Sequence, residues 1–303
     1  DLAERERALS VFNLIWEACS NMEKYIQYGF SVPQRDAVFG KNDWNTLQPH
    51  DFFDLTQKLK ESLSAVERET DILTLKDIIQ GKTLKVTETK SEDAPERFNV
   101  VVNFPNFLLH VLRVYTKKDI PLDDKRLIST FETEIKAASD KISFAQEFGY
   151  ELLRCKLLFD KYIIKKHKEK DDWEVLKLQK DKDDKYCEQN TFKNDKQLDK
   201  NEQLILLQSM FHVSFSQKDR KHWLNAALQY LHNCQEPIIA KDYLEHLESI
   251  AKCFVFNRIL ANKDDMQDFD TMIYGDNSIR KNTSCCLDVK SKLSYGKIQN
   301  NFF

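Results

Sequence analysis

The stretch SFAQEFGYELLRCKLLFDKYIIKKHK, residues 143–168, decides the fold class. Its apolar residues recur at spacings of 4, 3, 4 and 3, which places a single stripe on one helical face: Phe148, Leu152, Cys155, Phe159 and Tyr162. Neighbouring leucines and isoleucines widen this face, and a helix with so wide an apolar face is buried on more than one side. The pattern predicts a long central helix with other elements packed around it.

The rest of the chain also favours helices. Gly and Pro number 6 each, about a third of their joint share in average proteins. Apolar periodicity and capping residues predict a first helix through Phe12 and Ile26 that ends at Gly29, and a short second helix after Ser31 with Pro33 in its first turn and Gly40 beyond its end. Further helices are predicted at 52–66, 73–81, 104–120, 124–140, 202–213, 219–233 and 240–260.

Two stretches depart from the helical pattern. Residues 82–103 alternate in KTLKVTETK, turn through SEDAPE and continue into RFNVVVN, while residues 172–192 place WEVLKLQK and KYCEQNTF on either side of an Asp and Lys turn. The predicted fold class is therefore mainly α, a multi-helix domain with one or two small β-hairpins at about 82–103 and 172–192. We expect one helical domain over residues 1–262 and a polar linker over residues 263–303, which leads toward an absent C-terminal domain.

Composition excludes several classes of protein. The net charge of -3 gives no global attraction to nucleic acid or membrane, and no apolar run is long enough for a transmembrane helix. Seven cysteines without a Cys-x-x-Cys pair indicate reduced thiols, and the charged first residues, DLAERERALS, do not form a signal peptide. These features predict a cytoplasmic protein. Because the chain lacks an initiator Met, we expect it to be a piece of a longer one.

Residues that could carry catalysis have structural interpretations that fit them better. The sequence holds no phosphate-binding glycine loop, no Gly-x-Ser-x-Gly and no His-Glu-x-x-His. His212, His222 and His232 lie ten residues apart, a spacing that does not stack them on one helix, so core or surface histidines are favoured over a metal site. Cys155 is expected to be a buried, inert thiol, and Asp160 is expected to lie at the surface or in a pair, as is Lys161. We predict no catalytic, cofactor-binding or metal-ligating residue in this chain.

Basic residues concentrate at two places. The first surrounds His167 at the end of the predicted central helix and comprises Lys161, Lys165, Lys166, Lys168 and Lys170. The second comprises Arg220, Lys221 and His222. The first run suits a helix C terminus, where the helix dipole favours cations. A contact with nucleic-acid phosphates is the alternative for both sites, and Asp171 and Asp172 would weaken it at the first.

Several stretches together resemble the GmrSD-type family of bacterial restriction and phage-defence proteins, which has a ParB-like nuclease fold. They are IWEACSNMEKYIQ (15–27), LTLKDII (73–79), NFPNFLLHVLRVY (103–115), IPLDDKRLISTFE (120–132), LLRCKLLFDKYIIK (152–165), LLQSMFHVSFSQKDRKHWLN (206–225) and LSYGKIQNNFF (293–303). The matching positions are mostly apolar or aromatic, which suits packing: Phe104, Phe107, Leu108, Phe159, Met210, Phe211 and Trp223.

The resemblance implies a protein of three parts. In the family, an N-terminal ParB-like domain carries an Asp-Gly-Gln-Gln-Arg-type motif associated with nucleotide hydrolysis and nuclease activity, a helical middle follows, and an HNH-like nuclease domain ends the chain. This sequence lacks that motif and ends about where the HNH-like part would begin, so the resemblance covers the helical middle. It implies a scaffold or coupling segment without a cofactor of its own. The full-length parent would be an NTP-dependent DNA endonuclease that uses a divalent metal.

The partners that the resemblance implies are the nuclease domains of the same protein, DNA bound mainly through those domains, and a second copy in a homo-oligomer. Two alternatives remain at this point. One is a helical module that binds DNA or a protein through its local basic residues. The other is a free-standing enzyme, which the sequence disfavours because no nucleophile and base can be paired in it.

Overall fold

Nine α-helices and five short strands form the part of the chain that the structure, a computed structural model, describes: residues 2–70, 98–168, 171–180, 186–192, 198–214, 221–259 and 271. The helices are α1 (Leu2–Ser20), α2 (Val32–Phe39), α3 (Phe52–Thr70), α4 (Phe104–Thr116), α5 (Leu127–Ala137), α6 (Lys141–Tyr162), α7 (Leu198–Ser214), α8 (His222–Asn233) and α9 (Ala240–Phe254). Short 3-10 turns lie at Ile26–Gly29 and Asp124–Arg126, and a π-helical turn follows α9 at Val255–Ile259.

The mainly α fold class with small strand pairs is confirmed. The strands are β1 (Phe98–Val100), β2 (Lys165–His167), β3 (Trp173–Glu174), β4 (Leu176–Lys180) and β5 (Tyr186–Asn190). Strands β4 and β5 pair antiparallel from Leu176 opposite Asn190 to Lys180 opposite Tyr186, which is the hairpin predicted at 172–192. The predicted helix at 73–81, most of the predicted hairpin at 82–103 and nearly all of 263–303 lie outside the described residues.

Strand β1, the described part of the predicted 82–103 hairpin, pairs with a distant segment. It runs antiparallel to β2, with Phe98 opposite His167 and Val100 opposite Lys165. Strand β2 also pairs with β3, so that β1, β2 and β3 form one small sheet. This sheet joins the chain just before α4 to the chain just after α6.

Helix α6 is the predicted central helix, but it ends earlier than its apolar period suggests. Asp140 caps its start by accepting a hydrogen bond of 2.9 Å from the backbone N–H of Ile142. At its other end Ile163 adopts an extended backbone conformation. The prediction of helix through residue 168 was wrong. Ile163 and Ile164 are β-branched and buried, and Lys165 is the first residue of strand β2, which pairs with β1.

The first predicted helix is likewise shorter, because α1 ends at Ser20 and a 3-10 turn covers Ile26–Gly29. The side chain of Ser20 donates to the carbonyl of Glu17 at 2.8 Å, and that of Asn21 accepts from the backbone N–H of Glu23 at 3.1 Å. Such local bonds compete with the helical ladder. A Cβ on Gly29 would lie 2.2 Å from the Cβ of Ala18, so glycine there permits close packing of the turn on α1.

Ser31 and Gly40 flank α2 as predicted, and polar side chains cap the starts of two later elements. Gln34 accepts from the N–H of Ser31 at 2.9 Å before α2, and Gly40 follows α2 with a positive φ of 85°. Asn103 caps α4 with a bond of 3.1 Å from Asn106, and Asp123 caps the turn that precedes α5.

One large apolar core includes residues from Ile15 to Ile250, and α6 lies at its centre. Helix α6 packs against α1, α3, α4, α5 and α8, and its residues Leu152, Leu153 and Phe159 are fully buried. The second, smaller cluster joins Tyr25, Phe98 and Leu178 beside the sheet. Within the described part of the chain, no helix combines the length and the apolar character needed to cross a membrane.

Candidate functional site

The first predicted basic run does not form a patch at a helix C terminus. Lys161 lies in the last turn of α6, Lys165 and Lys166 lie on β2, and Lys168 follows β2. The interpretation through the helix dipole is therefore wrong for the lysines beyond the helix, because α6 ends at Tyr162. Lys170 lies outside the described residues.

Lys161 points into the protein, where it makes specific bonds. Its ammonium group donates to the carbonyl of Asn45 at 2.7 Å and to the carboxylate of Glu236, which also accepts from the hydroxyl of Tyr162 at 2.9 Å. Burial lowers the pKa of Lys161, and the nearby carboxylate of Glu236 opposes this effect. Of the two expectations for Lys161, surface or pairing, the structure shows pairing, inside the protein.

Lys165 is also buried and is held by carbonyl groups and an aromatic ring. Its ammonium group donates to the backbone carbonyl of Asp160 and, at 2.9 Å, to that of Leu176. It also lies 4.4 Å from the centre of the Tyr25 ring, which suits a cation–π contact. Burial lowers the pKa of Lys165 to about 7.

Lys156 completes this buried set, and sequence reasoning missed it. Its ammonium group bonds to the carboxylate of Asp160 at 2.6 Å and to the carbonyl of Lys24 at 2.9 Å. The same carboxylate accepts from the backbone N–H of Ile26 at 2.7 Å. The signal in the sequence is the i, i+4 spacing of Lys156 and Asp160, but nothing in that spacing indicates that both residues are buried.

The two members of the first run that reach the surface, Lys166 and Lys168, meet acidic side chains. Lys166 pairs with Asp171 at 2.7 Å, and Lys168 pairs with Glu23 at the same distance. These pairs reduce the positive charge that this part of the surface presents. A contact of Lys166, Lys168 or Lys170 with nucleic acid stays a prediction.

The second predicted basic site lies where α4, α7 and α8 meet. Lys221 precedes α8, and its ammonium group lies 3.0 Å from Nδ1 of His212 at the end of α7. His222 begins α8, and its Nδ1 lies 3.4 Å from Nη1 of Arg113 on α4. Arg220 lies outside the described residues.

Arg113 and Lys221 are almost completely buried, each with 1% of its surface exposed. Arg113 reaches outward through Nη2, which donates to the carboxylate of Asp119 at 3.1 Å. The side chain of Asp119 is 71% exposed. This ion pair therefore joins a buried guanidinium to a carboxylate at the surface.

His110 lies one turn before Arg113 on α4 and is fully buried. Neither of its ring nitrogens has a hydrogen-bond partner among the residues that the structure describes. Burial lowers its pKa well below the usual value, and Arg113, His222 and Lys221 lower it further. The ring is therefore neutral near pH 7 and lies close to three basic side chains.

We call this group the basic cluster: His110, Arg113, His212, Lys221 and His222. Burial, together with Lys221, lowers the pKa of His212 to about 4, so His212 is a neutral acceptor for the lysine near pH 7. One guanidinium, one lysine side chain and three imidazoles, from three helices and the residue before α8, are thus brought together. The contacts of Lys221 with His212 and of Arg113 with His222 join α4, α7 and the start of α8.

The cluster was only partly visible in the sequence. The sequence indicates Lys221 and His222 as neighbouring basic residues and His212 as one of three evenly spaced histidines. Arg113 and His110 were missed because they are separated from α8 by about a hundred residues and are brought to it by the packing of α4 on α8. Only the i, i+3 spacing of His110 and Arg113 on one helical face was available as a signal.

The three evenly spaced histidines do not converge. His212 and His222 belong to the basic cluster, whereas His232 bonds to Glu151 at 2.6 Å and lies 3.0 Å from Arg154. Among the residues that the structure describes, no group of three His, Cys, Asp or Glu side chains is placed to hold a metal ion.

Cys155 is fully buried in α6, as expected. Burial raises the pKa of its thiol well above the ordinary value. Because the thiolate is the reactive form, Cys155 is an inert core residue.

Comparison of the chain with known protein families, curated proteins and solved structures found no match.

Proposed function

We propose that this chain is the helical scaffold of a GmrSD-like restriction or phage-defence endonuclease, and that it positions and couples catalytic domains that lie outside it. The proposal rests on where the apolar and aromatic residues of the resembling stretches lie in the fold. Seven were identified as packing residues, and all of them lie in the main core or against it: Phe104, Phe107, Leu108, Phe159, Met210, Phe211 and Trp223.

Buried polar bonds made by α6 and by strand β2 support the same function. An apolar core tolerates small shifts between its elements, whereas buried hydrogen bonds fix their relative positions. Asp160 fixes the chain at Ile26, Lys161 fixes it at Asn45 and Glu236, and Lys165 fixes it at Leu176. A segment that transmits position from one attached domain to another needs this kind of rigidity.

In this proposal the catalytic steps belong to the attached domains. Those domains bind the NTP, the divalent metal and most of the DNA, and residues 263–303 link the scaffold to the C-terminal one. The whole protein works in the cytoplasm. The scaffold contributes orientation, which can determine rate because a misplacement of about 1 Å costs on the order of a hundredfold.

The first test is an assay of the purified chain, residues 1–303, with plasmid DNA, Mg²⁺ and ATP or GTP. We expect neither cleavage nor nucleotide hydrolysis above the level of a mock purification. DNA cleavage that copurifies with the chain and disappears in an Arg113→Gln variant would instead show that the chain is itself an enzyme.

The second test uses the full-length protein. Assayed at a temperature where circular dichroism shows it to be folded, Asp160→Asn should reduce DNA cleavage although every catalytic residue is intact, because it loosens the bonds that fix α6 to the turn at Ile26. Asp124→Asn, an exposed change of equal charge, is the matched control and should leave cleavage unchanged. Equal cleavage by both variants would contradict the scaffold role.

A further inference from the structure

An apolar cleft of about 550 Å³ lies between the first half of α1 and the start of α6. Small-molecule sites in proteins have volumes of this order. Its apolar lining comes from α1, from the start of α3 and from α6, and comprises Ala8, Leu9, Phe12, Phe52, Ile142 and Ala145. Packing alone favours closure of such a space, so the cleft is a candidate site for a ligand.

The inner end of the cleft is aromatic. Phe12 and Phe52 both lie against Gly149, where a Cβ would be 2.9 Å from the ring of Phe12 and 3.4 Å from that of Phe52. The absence of a side chain at Gly149 therefore lets both rings rest on α6. Toward the solvent, Leu9 is 61% exposed and Ile142 is 52% exposed. A contiguous apolar surface with a polar rim marks a binding site more often than single exposed apolar residues do.

The outer end of the cleft is positively charged. Arg5 on α1 and Lys141 on α6 line it, and both are exposed. No carboxylate among the described residues pairs with either of them, whereas the exposed Lys136 and Lys241 each pair with a carboxylate one turn away. Glu4 is the one carboxylate that lines the cleft. The two cations therefore outnumber the acid, and this end attracts an anion.

The charged end and the aromatic end lie apart because α1 and α6 run in the same direction. Phe12 packs at Gly149, and further along both helices the thiol of Cys19 donates to the carbonyl of Leu152. Both cations lie in the first turn of their helices, two turns before Phe12, which is a separation of about 10 Å. Asp140, which caps α6, lines a different cleft.

We propose that this cleft binds a medium-chain aliphatic carboxylate. The carboxylate lies beside Arg5 and Lys141, and the chain extends over the apolar lining toward Phe12 and Phe52. An amphiphile of this class matches both ends of the cleft, and decanoate is long enough to reach both. A nucleic-acid phosphate matches only the charged end, and an uncharged hydrocarbon matches only the aromatic end. This binding activity goes beyond the scaffold role.

The test compares decanoate with decyltrimethylammonium, which has a chain of equal length and the opposite charge. Each is titrated into the purified chain, residues 1–303, by calorimetry at pH 7 and constant ionic strength, below its micelle concentration. We expect one saturable site for decanoate and weaker binding of the cationic amphiphile. Shortening the chain to octanoate should weaken binding by up to about fourfold for each CH₂ removed.

Variants of the exposed lining residues separate the charged end from the apolar end. Arg5→Gln and Lys141→Gln should each weaken decanoate binding about two- to fivefold, as expected for an exposed ion pair, and should tighten the binding of decyltrimethylammonium. Leu9→Gln should weaken the binding of both amphiphiles, because it removes apolar lining without a change of charge. The matched control is Lys125→Gln, which changes an exposed lysine that does not line the cleft and should leave both affinities unchanged.

Three outcomes would overturn the proposal. The first is the absence of saturable decanoate binding to the folded wild type. The second is an equal decanoate affinity in Arg5→Gln, Lys141→Gln and Lys125→Gln. The third is a dimer of the chain that Leu9→Gln dissociates and decanoate does not, which would assign the cleft to a second copy instead. None of these outcomes involves DNA cleavage, so this proposal and the scaffold role are tested separately.

Discussion

Buried Lys165 makes stability depend on pH in a direction that surface lysines do not produce. Its pKa is about 7 in the folded protein and 10.5 in the unfolded chain, so between these values the unfolded chain binds more protons. The free energy of unfolding then rises with pH, by up to about 1.4 kcal/mol per pH unit from this group. We predict that urea unfolding between pH 7 and 9 gives a more positive slope for wild type than for Lys165→Met.

The control for this prediction is Lys125→Met, which removes an exposed lysine and should keep the slope of the wild type. Charged groups that act on Lys165 from neighbouring elements are Asp160, Lys156 and Glu188. All three remain in the Lys165→Met variant, so the comparison isolates the lysine. Identical slopes in wild type and Lys165→Met would contradict the prediction.

The ion pair of Lys156 and Asp160 should respond to mutation far more than an exposed pair. Asp160→Asn leaves the buried ammonium of Lys156 without its counter-charge, and we expect a loss of about 3–5 kcal/mol in the free energy of unfolding. Adding Lys156→Met should recover part of this loss, because it removes the unpaired buried charge while the amide at position 160 still offers an oxygen to the N–H of Ile26. Urea denaturation of the single and double variants measures both effects.

The exposed pair of Lys241 and Glu245 on α9 has the same i, i+4 spacing and provides the comparison. Glu245→Gln should change stability by no more than about 0.5 kcal/mol. Similar losses for Asp160→Asn and Glu245→Gln would mean that the burial of the first pair has no energetic consequence.

The contrast between the two pairs also shows why sequence alone could not find the buried network. Both pairs have the i, i+4 spacing. The segment around Lys24 and Ile26, which is distant in sequence, covers the pair of Lys156 and Asp160.

At the scale of elements, local signals predicted the helices well and their ends less well. The periods of α6 and α1 continue past their last turns because Ile163, Met22 and Ile26 are buried for reasons other than a helical stripe. Strand β2 is fixed by β1, and the turn at Ile26 is fixed by Asp160. Such partners are distant in sequence, so a local pattern cannot contain them.

The packing of the 3-10 turn on α1 gives a prediction about two elements. Gly29→Ala places a Cβ against Ala18 and should destabilise the protein by about 1–3 kcal/mol, as overpacking does. Ala18→Gly combined with Gly29→Ala should restore part of the loss. The recovery should be incomplete because the new Cβ would also lie 2.7 Å from the Cα of residue 18. Midpoints of urea unfolding measure this, and no recovery in the double variant would contradict it.

At the scale of the whole molecule, the continuous core predicts a single unfolding transition. Trp44 and Trp223 belong to the same core cluster although they lie far apart in sequence. Two variants, one that keeps only Trp44 of the four tryptophans and one that keeps only Trp223, should therefore unfold at the same urea concentration. Leu152→Ala should lower both midpoints equally, with a loss of about 2–5 kcal/mol. Separate midpoints would instead divide the chain into independently folding parts.

Strand pairing between β1 and β2 has a consequence for the path of the chain. The segment that contains α4, α5 and α6 leaves and returns at one place, since Phe98 lies opposite His167. The two ends of this segment are hydrogen-bonded to each other as strands β1 and β2. The chain that precedes β1 is therefore connected directly to the chain that follows β2. A displacement on the upstream side therefore acts directly on the downstream side through three residues of backbone.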